Sequence, residues 1–201
     1  MTSAIVDLGC GNLGSVAIAL ERVGATASIT ADAGRIAAAE RVVLPGVGAA
    51  GFAMARIETL GLGETLRSLR QPVLGICLGM QLLFEVSEEA DLACLGIIAG
   101  RVRRLEPAPE RPVPHMGWSR LAVADDAIGL RDGDYVYFAH SFACDTGPAT
   151  RASAHYGREI PAVVVQENYW GAQFHPERSG EAGARFLQAW LAACSSIPPW
   201  T

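Results

Sequence analysis

Lysine is absent from this chain, and all 16 basic side chains are arginine. We attribute that to genome composition and attach no function to it. Positive charge is also scarce: with 21 acidic residues the formal net charge is -5 and the isoelectric point lies near 5.4. The basic face or stripe of a nucleic-acid footprint is missing. The nearest basic run, RVRRLEP from Arg101 to Pro107, interleaves arginine with apolar residues, as a solvated strand edge or turn does. Long hydrophobic runs are lacking too, since Gly, Pro or charge interrupts each apolar stretch before the roughly 20 residues a membrane span needs. The start MTSAIVDLG has no basic segment ahead of an apolar one, so no signal peptide is expected and the chain is read as soluble and cytoplasmic. Cysteine is sparse and odd in number: Cys10, Cys77, Cys94, Cys144 and Cys194, with no CxxC spacing. Neither a disulfide framework nor a zinc site is indicated, and no metal or cofactor is expected.

What is present suits one well-buried domain spanning 1–201, because half of the residues are hydrophobic and this length supports one core. SAIVDL (Ser3 to Leu8) reads as a strand, GCGN as a turn, and Ser15 to Val23 as a helix with Val16, Ala19, Leu20 and Val23 on one face. ATASIT is a second strand, DAGRIAAAE a small helix, and RVVLPG (Arg41 to Gly46) a third strand. After the Gly-rich PGVGAAGF comes a helix ending near Arg70. PVLGI (Pro72 to Ile76) is then a fourth strand, apolar throughout as a central parallel strand should be. From Gly96 onward, IIAGRVRRL, WSRLAVA, DYVYFAHSFA and PAVVVQENYWGAQF read as an antiparallel or mixed extension, and SGEAGARFLQAWLAAC as a closing helix. The expected fold is α/β: an open, mostly parallel sheet with helices on both faces and a β-rich C-terminal half. Such sheets place their sites at the carboxyl ends of the strands.

Cys77 stands at one of those ends. Gly75-Ile76-Cys77-Leu78-Gly79 has the form of a nucleophile elbow, a sharp strand-to-helix turn whose glycines relieve crowding around an outward-thrust side chain. The unpaired amides and positive dipole end of the helix expected in LGMQLLFEV favour a thiolate, and the Leu78 amide is placed to stabilise an oxyanion. A thiolate nucleophile needs a proton carrier. Of His115, His140, His155 and His175, His175 ends the apolar YWGAQF and is followed by Pro176 and Glu177, so base and orienting carboxylate could leave one strand end together. His140 in FAHSF and His115 in PHMGW remain rivals on spacing alone.

GICLGMQLLFE together with the distant FHPE resembles the triad-type glutamine amidotransferases, which hydrolyse the side-chain amide of glutamine. IVDLGCGNLGSV, LPGVGAAGFAM and VPHMGWSRL narrow the resemblance to the glutaminase subunits of imidazole glycerol phosphate synthase, over essentially the whole chain. That resemblance implies a flavodoxin-like class I glutamine amidotransferase fold. It implies Cys77 as nucleophile, His175 relaying protons and Glu177 orienting it. It further implies L-glutamine held by Gln81, Glu89 and the backbone near Ser141 and Phe142, with Val47 and Gly48 of the loop Pro45 to Gly48 joining Leu78 around the oxyanion. The implied partner is a (β/α)8-barrel cyclase subunit facing Asn12, Trp118 and Arg178. It would take the ammonia into histidine biosynthesis, which agrees with the lack of a phosphate-binding GxxxxGK here. The chain departs from the family at Leu8, Ser119, Phe142 and Arg178, where tyrosine, asparagine, tyrosine and lysine are usual. Three other readings compete: a glutaminase feeding pyridoxal phosphate, anthranilate or guanylate synthesis, a non-catalytic regulatory subunit on the same fold, and a stand-alone cysteine hydrolase.

Overall fold

The computed structural model describes residues 2–193; Cys194, the expected end of the last helix, lies outside them. Strand and helix alternate as the apolar rhythm requires: β1 (Thr2–Val6), α1 (Leu13–Arg22), β2 (Thr26–Thr30), α2 (Ala33–Ala38), β3 (Arg41–Gly46), α3 (Ala50–Thr59), α4 (Leu62–Ser68) and β4 (Val73–Cys77). The single helix expected before Arg70 is two, because Gly61 takes a left-handed conformation at φ 64° between them, the usual way a helix is closed. Then follow α5 (Leu78–Leu82), β5 (Phe84–Ser87), β6 (Leu92–Ala93), β7 (Ile98–Arg104), β8 (His115–Val123), β9 (Tyr135–His140), β10 (Phe142–Cys144), β11 (Thr150–His155), β12 (Glu159–Gln166), β13 (Tyr169–Ala172) and α6 (Gly180–Ala193).

Nine strands form one sheet in the order β2-β1-β3-β4-β13-β12-β11-β8-β9. The first five run parallel and the pairings beyond β13 are antiparallel, so β13, from the β-rich half, joins the parallel part of the sheet to its antiparallel extension. A second sheet, β10-β7-β5-β6, packs beside the first. This corrects the helix expected through LGMQLLFEV: α5 is one short turn of five residues, and Phe84 to Ser87 pair with Ile98 to Val102 instead. Pairing across the sequence overrides local periodicity there.

Successive strand residues face opposite sides. Ile5, Val43, Leu74 and Ile76 join one core with Val16 and Leu20 of α1 and Phe186, Leu187 and Trp190 of α6. Val6, Val42, Leu44 and Val73 join the other with Ile36, Ala53, Ile57, Leu66 and the inner face of the second sheet. Helices therefore cover both faces and leave the carboxyl strand ends open. Among the described residues no helix is long and apolar enough to cross a membrane.

Candidate active site

Three adjacent strand ends meet at Cys77. Gly46 at the end of β3 pairs with Cys77, and Ala172 of β13 pairs with Ile76 on its other side, so sheet register alone puts the Pro45 to Gly48 loop and the segment 173–177 beside the sulfur. Cys77 adopts φ 53°, ψ -108°, a left-handed conformation that costs a non-glycine residue about 1–3 kcal/mol. The flanking glycines make it possible. A Cβ on Gly75 would lie 2.7 Å from the backbone of Gly79 and Met80, and one on Gly79 would overlap the carbonyl oxygen of Leu44. The thiol is buried, and Leu78 begins α5 directly after it.

His175 hydrogen-bonds the Cys77 side chain, and its Nδ1 lies 2.8 Å from Glu177 Oε1, which leaves Nε2 for the sulfur. Burial is the largest single influence on its pKa and works against the charged ring. Hydrogen bonds and charges from Cys77 and Glu177 together outweigh it and raise the value to about 10. The backbone is pinned as well: His175 N–H donates to Tyr137 O, and Ser179 Oγ donates to His175 O at 2.7 Å. The rival histidines behave oppositely. Burial lowers His115 to about 4 and His140 to about 3, and they form a neutral pair with His115 Nδ1 3.1 Å from His140 Nε2.

A cleft of about 240 Å3 opens over the sulfur, lined by Val47, Gly48, Cys77, Leu78, Gln81, Glu89, Pro114, Ala139, His140, Ser141 and Phe142. It lies below the range of about 300–1,000 Å3 usual for drug-sized ligands and suits a small amino acid. All seven expected glutamine and oxyanion positions other than the triad line it. Glu89 Oε2 accepts from the Ala50 amide at 2.6 Å, tying the start of α3 to the cleft. Gln81 Nε2 donates to Phe142 O at 2.7 Å and to Gln173 Oε1 at 3.0 Å, so only its oxygen remains for a ligand. The Val47 amide is directed at the Cys10 sulfur rather than into the cleft.

The expected partner-facing residues lie apart from the cleft lining. Trp118 is 54% exposed, with its ring edge-on to Tyr137 at 6.0 Å, and the Arg178 guanidinium lies 4.2 Å from the centre of the Tyr137 ring. Asn12 has a local duty, capping α1 through its side-chain oxygen and the Ser15 amide. Gln173, fully buried with Nε2 3.8 Å from Cys77 Sγ, was not read from the sequence. The available signal was a polar residue inside the otherwise apolar YWGAQF, one position before its end. Among the described residues no cluster of three or more His, Cys, Asp or Glu is placed to hold a metal.

A buried thiol, an imidazolium held by a carboxylate and backbone donors at a strand-to-helix turn can attack an acyl carbon and return a proton to its leaving group. The architecture and this chemistry define a cysteine-dependent enzyme of acyl transfer on an open α/β sheet. Residues 4–194 match the model of the family described as glutamine amidotransferase class-I. The chain belongs to that family, and within it to the HisH subunits. The imidazole glycerol phosphate synthase subunit HisH of Xylella fastidiosa strain Temecula1 is 50% identical over 191 residues, covering 94% of this chain and 96% of that protein. The subunit of the same name from Idiomarina loihiensis is 48% identical over 192 residues, covering 95% and 97%. The fold recurs in a solved glutamine amidotransferase with TM-score 0.74 and 20% identity, covering 96% of this chain and 98% of that one. PurLQS from Thermotoga maritima gives a TM-score of 0.72 at 19% identity, covering 96% and 98%.

Proposed function

We propose that this chain is the glutaminase subunit of imidazole glycerol phosphate synthase, a one-domain cytoplasmic protein that needs no cofactor of its own. Cys77 Sγ attacks the carboxamide carbon of glutamine, and the carbonyl electron pair moves onto oxygen beside the Leu78 amide. His175 gives its proton to the amide nitrogen, the C–N bond breaks, and ammonia leaves a glutamyl thioester. Water then attacks the thioester carbon as His175 takes its proton, the C–S bond breaks, and glutamate leaves with the thiolate restored. Glu177 keeps Nε2 toward the sulfur throughout. Gln81 Oε1 and the Glu89 carboxylate suit the ammonium of the substrate, and the Ser141 and Phe142 wall its far end.

The observation that carries this reading is the imidazole of His175, raised to about 10 between Cys77 and Glu177; such perturbation inside a cleft is the mark of acid and base work. Ammonia passes to a (β/α)8-barrel cyclase subunit that meets the face bearing Asn12, Trp118 and Arg178. A conditional mechanism is supported by the Val47 amide, which must leave the Cys10 sulfur before it can serve an oxyanion, in a loop where Gly48 at φ 93° eases a backbone change. Binding of the cyclase ligand would then couple to glutamine hydrolysis across the interface. The test is glutamate release by the chain alone, and by the chain with a cyclase subunit and its nucleotide ligand, each beside Cys77→Ala. Activation that vanishes in Cys77→Ala supports the proposal. Full activity without a partner refutes the conditional mechanism, and no Cys77-dependent turnover under any condition refutes the glutaminase.

A further inference from the structure

Gln173 is fully buried, and a buried carboxamide must account for two donors and an acceptor. Its orientation is fixed from outside. Phe142 O is a carbonyl and can only accept, so the group 2.7 Å away must be the amide nitrogen of Gln81. The other hydrogen of that nitrogen goes to Gln173 Oε1 at 3.0 Å. The Gln173 NH2 therefore faces the remaining neighbour, Cys77 Sγ, at 3.8 Å, a reach suited to the large sulfur atom. The chain of bonds runs from backbone to sulfur with no freedom to flip.

The same register that sets β13 beside β4 delivers this donor. Ala172 pairs with Ile76, so Gln173, the first residue past β13, is set beside Cys77, the last residue of β4, and its own N–H is anchored to the sheet by donating to Ala162 O at 2.9 Å. The sulfur has a second polar neighbour of opposite character. Its distance to Ala139 O is also 3.8 Å, an oxygen that accepts from a thiol and repels a thiolate, whereas an amide N–H favours the thiolate.

Resting on the assignment of Cys77 as nucleophile, we infer that Gln173 is a further catalytic residue, whose amide donates to the Cys77 sulfur, offsets the Ala139 carbonyl and holds the sulfur ionised toward the substrate. Because Gln173 is itself held by Gln81, the residue that faces glutamine and the residue that faces the nucleophile are one connected unit. A glutamine seated against Gln81 Oε1 thus meets a sulfur whose position is set by the same side chain.

The experiment follows carboxamidomethylation of Cys77 by iodoacetamide against pH, read by mass spectrometry of the Cys77 peptide, in the full chain and in Gln173→Glu and Gln173→Met. Gln173→Glu keeps an oxygen for Gln81 and replaces the donor at the sulfur with negative charge. Its alkylation midpoint should move up by about 1 pH unit or more, and Gln173→Met should shift it less in the same direction. With the cyclase partner, kcat should fall on the order of 10- to 100-fold and KM should change by no more than about 2- to 3-fold. An unchanged midpoint in a variant that keeps its melting temperature, or a loss confined to KM, overturns the inference. Should neither variant fold, the unsubstituted chain decides: the Gln173 side-chain amide signals in NMR must shift with the same pH midpoint as alkylation, and must stay still in Cys77→Ala. If the unsubstituted complex shows no Cys77-dependent glutamate release, the functional assignment fails and takes this inference with it. If release is normal and the midpoint does not move, the role of Gln173 alone fails.

Discussion

Replacing Glu177 by glutamine tests the origin of the charge on His175, and its effect can be worked from the geometry. The Nδ1 to Oε1 distance is 2.8 Å, and the two side chains are only 9% and 5% exposed, so solvent screens the contact little. A charge-assisted hydrogen bond of this kind contributes about 1.5–3 kcal/mol, or about 1–2 pH units at 1.36 kcal/mol each. Glu177 Oε2 has no hydrogen-bond partner, so the amide nitrogen that replaces it would be a buried, unsatisfied donor costing a further ~1–3 kcal/mol at every pH. Only the first part depends on pH.

Its sign follows from the direction of the shift. The folded-state value of His175 is raised from 6.5 to about 10, so the associated stability is full below about 6.5 and is lost as pH climbs through the folded value. A Cys77→Ala background removes the sulfur's share and leaves Glu177 as the group stabilising the imidazolium. In that background, urea denaturation should show Glu177→Gln destabilising by about 2.5–6 kcal/mol near pH 6 and by about 1–3 kcal/mol near pH 10. With Cys77 intact, glutamine turnover should fall on the order of 100-fold. A stability penalty equal at both pH values, or larger at pH 10, would refute the claim that the carboxylate acts by stabilising imidazolium.

Gly79→Ala should lose more than about 3 kcal/mol, because its methyl would overlap the Leu44 carbonyl oxygen; a soluble variant with near-native melting would contradict the elbow packing. Cys10→Ala should raise partner-free glutaminase activity by roughly 5-fold, the worth of about one hydrogen bond, by releasing the Val47 amide, and steady-state assays without the cyclase check it. Glu89→Gln keeps an acceptor for the Ala50 amide but loses the charge. KM for glutamine should rise about 10-fold with kcat nearly unchanged, and a rise in neither would remove Glu89 from the substrate site.

The parts of the fold legible in the sequence are those where one local pattern has one physical meaning. An all-apolar run such as Val73 to Ile76 has few uses besides a strand buried on both faces, and Gly-x-Cys-x-Gly has few besides a turn that cannot tolerate two neighbouring side chains. The second sheet was illegible for the opposite reason. Leu82 to Val86 continues a helical apolar spacing, and only pairing with β7 draws Phe84 onward into a strand. The split at Gly61 was a smaller case, since a glycine inside a helical pattern can be tolerated there as well as close a helix.

The proton carrier shows the same limit at the level of chemistry. Spacing could not separate His175 from His115 and His140, and all three lie close to the cleft or one another. Burial acts on each in the same direction, toward the neutral ring. What differs is the partner. His140 Nδ1 must donate to Phe142 O at 2.8 Å, so its Nε2 accepts from His115 Nδ1, and His115 Nε2 in turn accepts from Ser119 Oγ at 2.9 Å. This assigns both tautomers and spends every ring nitrogen of the pair in neutral bonds. His175 alone has a carboxylate two residues along, folded back onto Nδ1 by the short 3-10 turn Pro176–Arg178. The histidine that carries protons is thus selected by Glu177 and the turn beneath it, since proximity to the sulfur gives His140 no charge to transfer.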